Sequence, residues 1–391
     1  MDPAQLQGLL GRFGVKGVSC SVLADGKRTD VCAGDAGGSP MTPATWLQHA
    51  SLSKTVAAAF ACEYFGAKGI PMTTSVNSVL AGAKTGFRLV SPGNSAWADK
   101  VMLKQLVNHT ALGMHYVFGF PLGQFPVVGD ILADPAKHGY ASLDVVKDPG
   151  SAFGYSGGGF LVLEHLLETL EGKRIEEVLR PFLDSLGMGE VRYDQKVPAG
   201  ATHATGFRDD GTPIPDGRLA FPALAAGGIG TPRSLAALWT HLSAAYSDPG
   251  ATAPISHSTA TQMLADVQDL GARSFMNADI GLGVFVAQAG PNRLAIHQAA
   301  NDGFRGVYLV CFAGPDRGKG IVALANGDNQ AALLLAEILR SFLQASRWQG
   351  VDAAYLETQR EFSTKGLKQE EIVNQAYKQL VFDAFQPPSK M

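Results

Sequence analysis

The sequence predicts an α/β chain of the α+β kind: one antiparallel sheet made from both chain ends, flanked by terminal helices, with a helical region inserted between them. Three observations predict it. Strand-like alternation is confined to residues 17–33 and 280–325. From about 56 to 245 the segments are helical or irregular. No stretch between these parts reads as a linker, so the halves are expected to share one cleft. The expected division is 1–50 with 246–347 as the sheet unit, 51–245 as a mainly helical region with a lid, and 348–391 as a helical extension.

Composition bounds the function. The chain has 391 residues, of which 46% are hydrophobic, enough for one large domain or two packed closely together. Lys and Arg number 32 against 35 acidic residues, for a net charge of −3 without a basic run, which argues against nucleic-acid binding. No apolar run is long enough to span a membrane. Met1-Asp2-Pro3-Ala4-Gln5 has no basic, apolar leader character. Cys20, Cys32, Cys62 and Cys311 lack C-x-x-C spacing and read as core thiols. A cytoplasmic location is the resulting expectation.

In chain order, residues 3–12 read as an amphipathic helix. Gly17 to Leu23 alternates as a strand, Ala24-Asp25-Gly26 turns it, and Arg28 to Ala33 returns. Ser51-Leu52-Ser53-Lys54 opens an alanine-rich run from Val56 to Ala67, with Gly69 as its stop. Met102 to Thr110 reads as a helix ending near His109. Ala111 to Gly150 is a long irregular section with Phe118, Phe120 and Phe125, and loops of that length commonly act as lids. Helices are expected over Gly159–Leu170 and Arg174–Leu186. A glycine bend at 225–230 precedes another helix, Ser234 to Ala245. The strands Ile280–Gln288, Arg293–His297, Gly306–Ala313 and Gly320–Ala325 form a meander, closed by a helix from Leu333 to Leu343. In the extension, Ile372, Ala376 and Leu380, with Val373, Tyr377 and Val381, repeat every four residues. That amphipathic helix packs on its own domain or forms a homodimer contact, and no motif ties it to the chemistry.

The chemistry is carried by a few stretches. On a helix, Lys54 lies one turn from Ser51, so its amine reaches the hydroxyl. A serine needs such an activating partner to become a nucleophile. Free N–H groups at a helix start suit a developing oxyanion. Gly154-Tyr155-Ser156-Gly157-Gly158 is open to two readings. Gly154-x-Ser156-x-Gly158 fits a nucleophile elbow, but Lys147-Asp148-Pro149-Gly150 ahead of it cannot be the core strand an elbow requires. The other reading centres on Tyr155, either a proton-transfer group beside Lys54 or a loop aromatic before a helix. Lys84-Thr85-Gly86 lies in a loop-like stretch and reads as coincidence. His109, His115 and His138 lack metal-ligand spacing, and His115 is a candidate substrate contact. No metal or cofactor is expected.

Taken in order, these stretches resemble the class C β-lactamase and penicillin-binding-protein-like serine hydrolases, including the esterases and transesterases of that fold. The landmarks run over roughly residues 10–345. They are Ser51-x-x-Lys54, Leu106-Val107-Asn108-His109-Thr110, Tyr155-Ser156-Gly157, Ala225-Ala226-Gly227-Gly228, His297-Gln298-Ala299-Ala300 and Leu324-Ala325-Asn326-Gly327. The resemblance implies Ser51 as the acylated nucleophile, with Lys54 assisting and Tyr155 at the first position of a Y-x-N motif. It implies His297, Gln298 and Ala299 on the substrate-binding K-T-G strand, and an oxyanion hole from the Ser51 and Ala300 N–H groups. Gly157 replaces the asparagine of Y-x-N and Ala299 the strand glycine. Gly157 offers no side-chain amide and His297 a weaker, pH-dependent charge than a lysine, so an ester is expected to be a better substrate than a β-lactam. Phe118 and Phe120, as an aromatic lid, suggest an apolar portion of substrate. Release of the acyl group goes to water or to an acceptor. A β-lactamase, D-peptidase or amidase of the same fold is the first alternative, and a non-catalytic binding or assembly protein the second.

Overall fold

The computed structural model describes residues 2–114, 117–358, 362 and 366–387. Its strands are β1 (Gly17–Ala24), β2 (Lys27–Gly34), β3 (Leu47–Gln48), β4 (Val191–Arg192), β5 (Ile229–Gly230), β6 (Asp279–Ile280), β7 (Phe285–Ala289), β8 (Asn292–Asn301), β9 (Phe304–Ala313) and β10 (Gly320–Ala325). Seven form an antiparallel sheet in the order β2-β1-β10-β9-β8-β7-β6, so the two chain ends meet where β1 pairs with β10. The expected strand over 280–288 is broken into β6 and β7. Gly283 sits at the break with φ +67°, and a Cβ there would lie 2.5 Å from the Ala58 Cβ. The sheet therefore turns at that glycine to let a helix approach.

The helices are α1 (Pro3–Phe13), α2 (Ser53–Ala67), α3 (Val76–Ala83), α4 (Ser95–Lys100), α5 (Leu103–Val107), α6 (Val128–Ala133), α7 (Gly158–Glu171), α8 (Ile175–Ser185), α9 (Pro232–Ser247), α10 (His257–Leu264), α11 (Ala272–Met276), α12 (Asn329–Ser346), α13 (Ala353–Thr358) and α14 (Gln369–Leu380). Local chemistry explains several ends. Asp2 caps α1 by accepting from Gln5 N (2.9 Å), and Gly14 closes it at φ +67°. α5 stops at Val107 because Asn108 leaves helical geometry and His109 takes φ +62°.

Strand alternation divides the apolar side chains into two cores. Val307, Leu309 and Cys311 of β9 face α1, α12 and the C-terminal helices, while Tyr308, Val310 and Phe312 face α2 and α9. The extension packs on its own chain: Ala376, Tyr377, Leu380 and Val381 are buried beside α12. Of the two readings of its apolar face, packing on its own domain or a homodimer contact, the structure shows the first. Cys20, Cys62 and Cys311 are buried thiols pushed up to about 12 by desolvation. No helix among the described residues is long and apolar enough to cross a membrane.

Close helix contact makes one glycine obligatory. At Gly159, α7 crosses α5, and a Cβ would overlap the Leu106 carbonyl oxygen. Gly159→Ala should cost about 2 kcal/mol or more and lower Tm by a few degrees. Gly8→Ala, with nothing within 4 Å, should be neutral or slightly stabilising. Thermal unfolding of both decides, and equal Tm values would refute the crossing argument.

Candidate active site

Ser51 lies in a single 3-10 turn, Ala50–Leu52, immediately ahead of α2. The turn begins with strain, since Ala50 has φ +46°, a left-handed conformation that costs an alanine about 1–2 kcal/mol. Lys54 projects back one turn, and its Nζ donates to Ser51 Oγ at 3.1 Å and to the Ala225 carbonyl at 2.6 Å. The amine is buried, and burial alone pushes it down to about 7. The Tyr155 and Phe160 rings stand 4.9 and 5.5 Å from it, so its charged form is met by aromatic faces. A lysine so placed holds a substantial neutral fraction at neutral pH and can take the serine proton.

The Ala225 carbonyl belongs to a π-type turn, Ala223–Gly227. Side chains from several elements hold the surrounding segment. Glu164 of α7 accepts from Leu224 N (3.0 Å), Ser53 Oγ accepts from Gly228 N (3.0 Å), Asn301 donates to Ala226 O (3.0 Å), and Gln48 donates to Leu219 O (2.6 Å). Burial raises Glu164 to about 8, so it sits there as a neutral acid. The glycine bend expected at 225–230 is this turn followed by β5.

Tyr155 is stacked between two rings, His109 at 4.3 Å and Phe275 at 4.9 Å between centroids. His109 is fixed in turn, its Nδ1 accepting from Ser156 N at 3.0 Å. Ser156 is buried, with Oγ accepting from Gly159 N at the start of α7. No strand precedes it, which removes the elbow reading.

These residues open on a cavity of about 420 Å³. Ser51, Lys54, Tyr155 and Gly157 line it together with Gln298, Ala299 and Ala300 of β8. His297 does not line it. The ring is buried among Phe285, Tyr155 and Tyr308, and burial first, then the nearby Lys54 charge, push it down to about 3. His297 is therefore a neutral core residue here, not a charged substrate contact. The expected lid aromatics also miss the cavity: Phe118 is 55% exposed against Tyr140, and Phe120 packs on Phe125 and Tyr140. Val117 takes their place. His115 lies outside the described residues.

The sequence matches the Beta-lactamase family over residues 4–344. The chain belongs to that family of serine hydrolases. The fold agrees with solved structures at low identity. The D-amino acid amidase from Ochrobactrum anthropi SV3, complexed with D-phenylalanine, superposes with TM-score 0.67 at 18% identity, covering 88% of this chain and 98% of that one. The beta-lactamase/D-alanine carboxypeptidase from Pseudomonas syringae gives TM-score 0.64 at 16% identity, covering 87% and 99%. SurE gives TM-score 0.64 at 22% identity, covering 88% and 74%. No curated protein sequence matches the chain significantly.

In this Beta-lactamase-family cleft, several lining residues escape the sequence reading. Asn301 and Arg305 come from the β8–β9 hairpin, Phe275 and Met276 from α11, and Val373, Asn374 and Tyr377 from α14. The helical extension, expected to be dispensable for the chemistry, reaches the cavity. Its four-residue repeat shows a buried face in the sequence but not what that face meets. Among the described residues no group of three or more His, Cys, Asp or Glu is placed to hold a metal.

Glu164 acts on Lys54 only through the turn at 223–227, which makes it a positioning residue. Glu164→Leu orphans the buried Leu224 N–H and should lower kcat/KM about tenfold. Glu164→Gln keeps an acceptor and should recover most of that loss. Equal losses in both variants, measured on one ester, would show that the hydrogen bond is not what matters.

Proposed function

We propose that this chain is an acyl-enzyme serine hydrolase with a preference for small esters. The observation that carries this reading is the buried Lys54 amine, 3.1 Å from Ser51 Oγ and pushed down to about 7 by its removal from water. In the proposed reaction neutral Lys54 takes the Ser51 proton as Oγ attacks the ester carbonyl. The Ala225 carbonyl holds one Nζ–H and so leaves the lone pair for the serine. The N–H groups of Ser51 and Ala300 receive the oxyanion. Tyr155, pinned between His109 and Phe275, relays the proton to the leaving alcohol. Water, or an alcohol or amine acceptor, then takes the acyl group.

Two features support an ester over a β-lactam. Gly157 has no side-chain amide to hold an acylamino substrate. Neutral, buried His297 offers no positive charge to a substrate carboxylate. An amidase or D-peptidase is the second reading, supported by the likeness in fold to the D-amino acid amidase.

A fluorophosphonate probe should label Ser51, and Ser51→Ala should abolish the label while Ser156→Ala keeps it. Mass spectrometry of the labelled peptide decides, and a label on Ser156 would refute the assignment.

The pH profile tests the proton acceptor. Lys54 must be neutral to act, and its neutral fraction rises with pH. For 4-nitrophenyl butyrate, kcat/KM should therefore climb up to about tenfold per pH unit below about 7 and level off above it. A flat profile between pH 5.5 and 8.5 would exclude Lys54 as the base. In the same assays nitrocefin and D-alanyl peptides should be turned over less well. Nitrocefin turnover at or above that of the best ester would overturn the ester preference.

A further inference from the structure

The family match ends at residue 344, yet α14 forms part of the cavity that holds Ser51. Strand pairing explains how one space touches both. β7 pairs with β8 only as far as Ile296, while β9 pairs with it through Asn301. Residues 297–301 thus keep one edge without a strand partner in the sheet, and the cavity extends past this edge from Ser51 to α14. On that side Val373 and Tyr377 of α14, four residues apart on one helical face, meet Ala332 and Leu335 of α12.

The polarity of this end is specific. Arg305 lines it, but its Nη1 is committed to Asp328 Oδ1 (3.1 Å) and to the carbonyls of Asn301 and Phe304, and its Nη2 to Asn329 Oδ1 (3.4 Å). It offers little to an anion. Besides Asn301, three amides line the cavity, Asn329, Asn374 and Gln298. Asn329 accepts from Arg305 Nη2, and the Gln298 Nε2 is buried without a hydrogen-bond partner among the described residues. A buried donor of that kind is costly unless something accepts from it.

We propose that α14 is a specificity wall of this site, receiving an uncharged and largely apolar group of the substrate whose polar atom is met by Gln298 and Asn374. The extension beyond the family match then sets how large that group can be. The proposal rests on the serine-hydrolase reading above and deepens it. Each methylene seated against such a wall is worth about fourfold in kcat/KM.

Two ester series test it: 4-nitrophenyl acetate to octanoate, which varies the acyl group, and phenyl to naphthyl acetate, which varies the alcohol. In at least one series, Val373→Trp should lower the bulky-to-small ratio of kcat/KM at least tenfold, and Val373→Ala should raise it severalfold. Lys378→Ala, on the exposed face of α14, should leave that ratio as in the parent protein. If Val373→Trp is insoluble, the opposite shift in Val373→Ala decides alone. An enzyme active on esters whose ratios stay within twofold in the Val373 variants overturns the wall. A Lys378→Ala shift as large as theirs overturns it too, since loosening of the helix would then explain the effect. A parent protein that hydrolyses no ester and takes no label at Ser51 refutes the hydrolase reading itself.

Discussion

The site depends on keeping one amine out of water. Moving Lys54 from its ordinary value near 10.5 to about 7 corresponds to on the order of 5 kcal/mol against the charged form. The surrounding structure must sustain that cost, and it does so by fixing consecutive residues of one turn to different elements. Ser53 takes the Gly228 N–H, Lys54 the Ala225 carbonyl, and Thr55 Oγ1 bonds both the Gly283 carbonyl (2.8 Å) and Tyr308 OH (2.7 Å). The start of α2 is thereby tied to the helical region on one side and to the sheet on the other. If either side relaxed, water would reach the amine, its affinity for protons would rise, and it could no longer serve as the proposed base near neutral pH.

That dependence explains why some of the site is legible in the sequence and some is not. The Ser51–Lys54 contact needs only helical periodicity, which four residues carry. Strands at both chain ends follow from alternation, and their meeting at β1 and β10 follows from the need to bury both. Tyr155 could be picked out by its glycine-flanked loop, but its stacking between His109 and Phe275 joins three distant segments. The fate of His297 turns on its neighbours. It shares a strand face with Ala299 and, like it, lies past the last β7 pair, yet its ring is sealed under Phe285 while Ala299 meets the cavity. Residue type alone could not separate the two. The lid aromatics mislead for a related reason: Phe118, Phe120 and Tyr140 satisfy one another, and the smaller Val117 is left to face the cleft.

Gly157 gains a second meaning from the structure. In the sequence it is an asparagine position without its amide. In the fold, a Cβ there would lie 2.6 Å from Val117 Cγ1. The glycine is thus what allows the lid segment to approach the start of α7. Loss of the amide and closeness of the lid are one change, and an asparagine placed here would first have to displace Val117 before it could bind anything. The proposed ester preference therefore cannot be moved by this side chain alone.

Charge points the same way. Arg305 is neutralised by Asp328, His297 is held uncharged by burial, and Glu164 stays protonated to about pH 8. Among the described residues around the cavity, Lys54 is left as the group whose charge changes near pH 7. An anionic substrate group would find no fixed cation to offset its desolvation, and under the proposed mechanism it would hold the Lys54 proton in place when the reaction needs it gone. A neutral substrate avoids both costs. In the proposed reaction, selection against charge and activation of Ser51 are then consequences of the same dry environment.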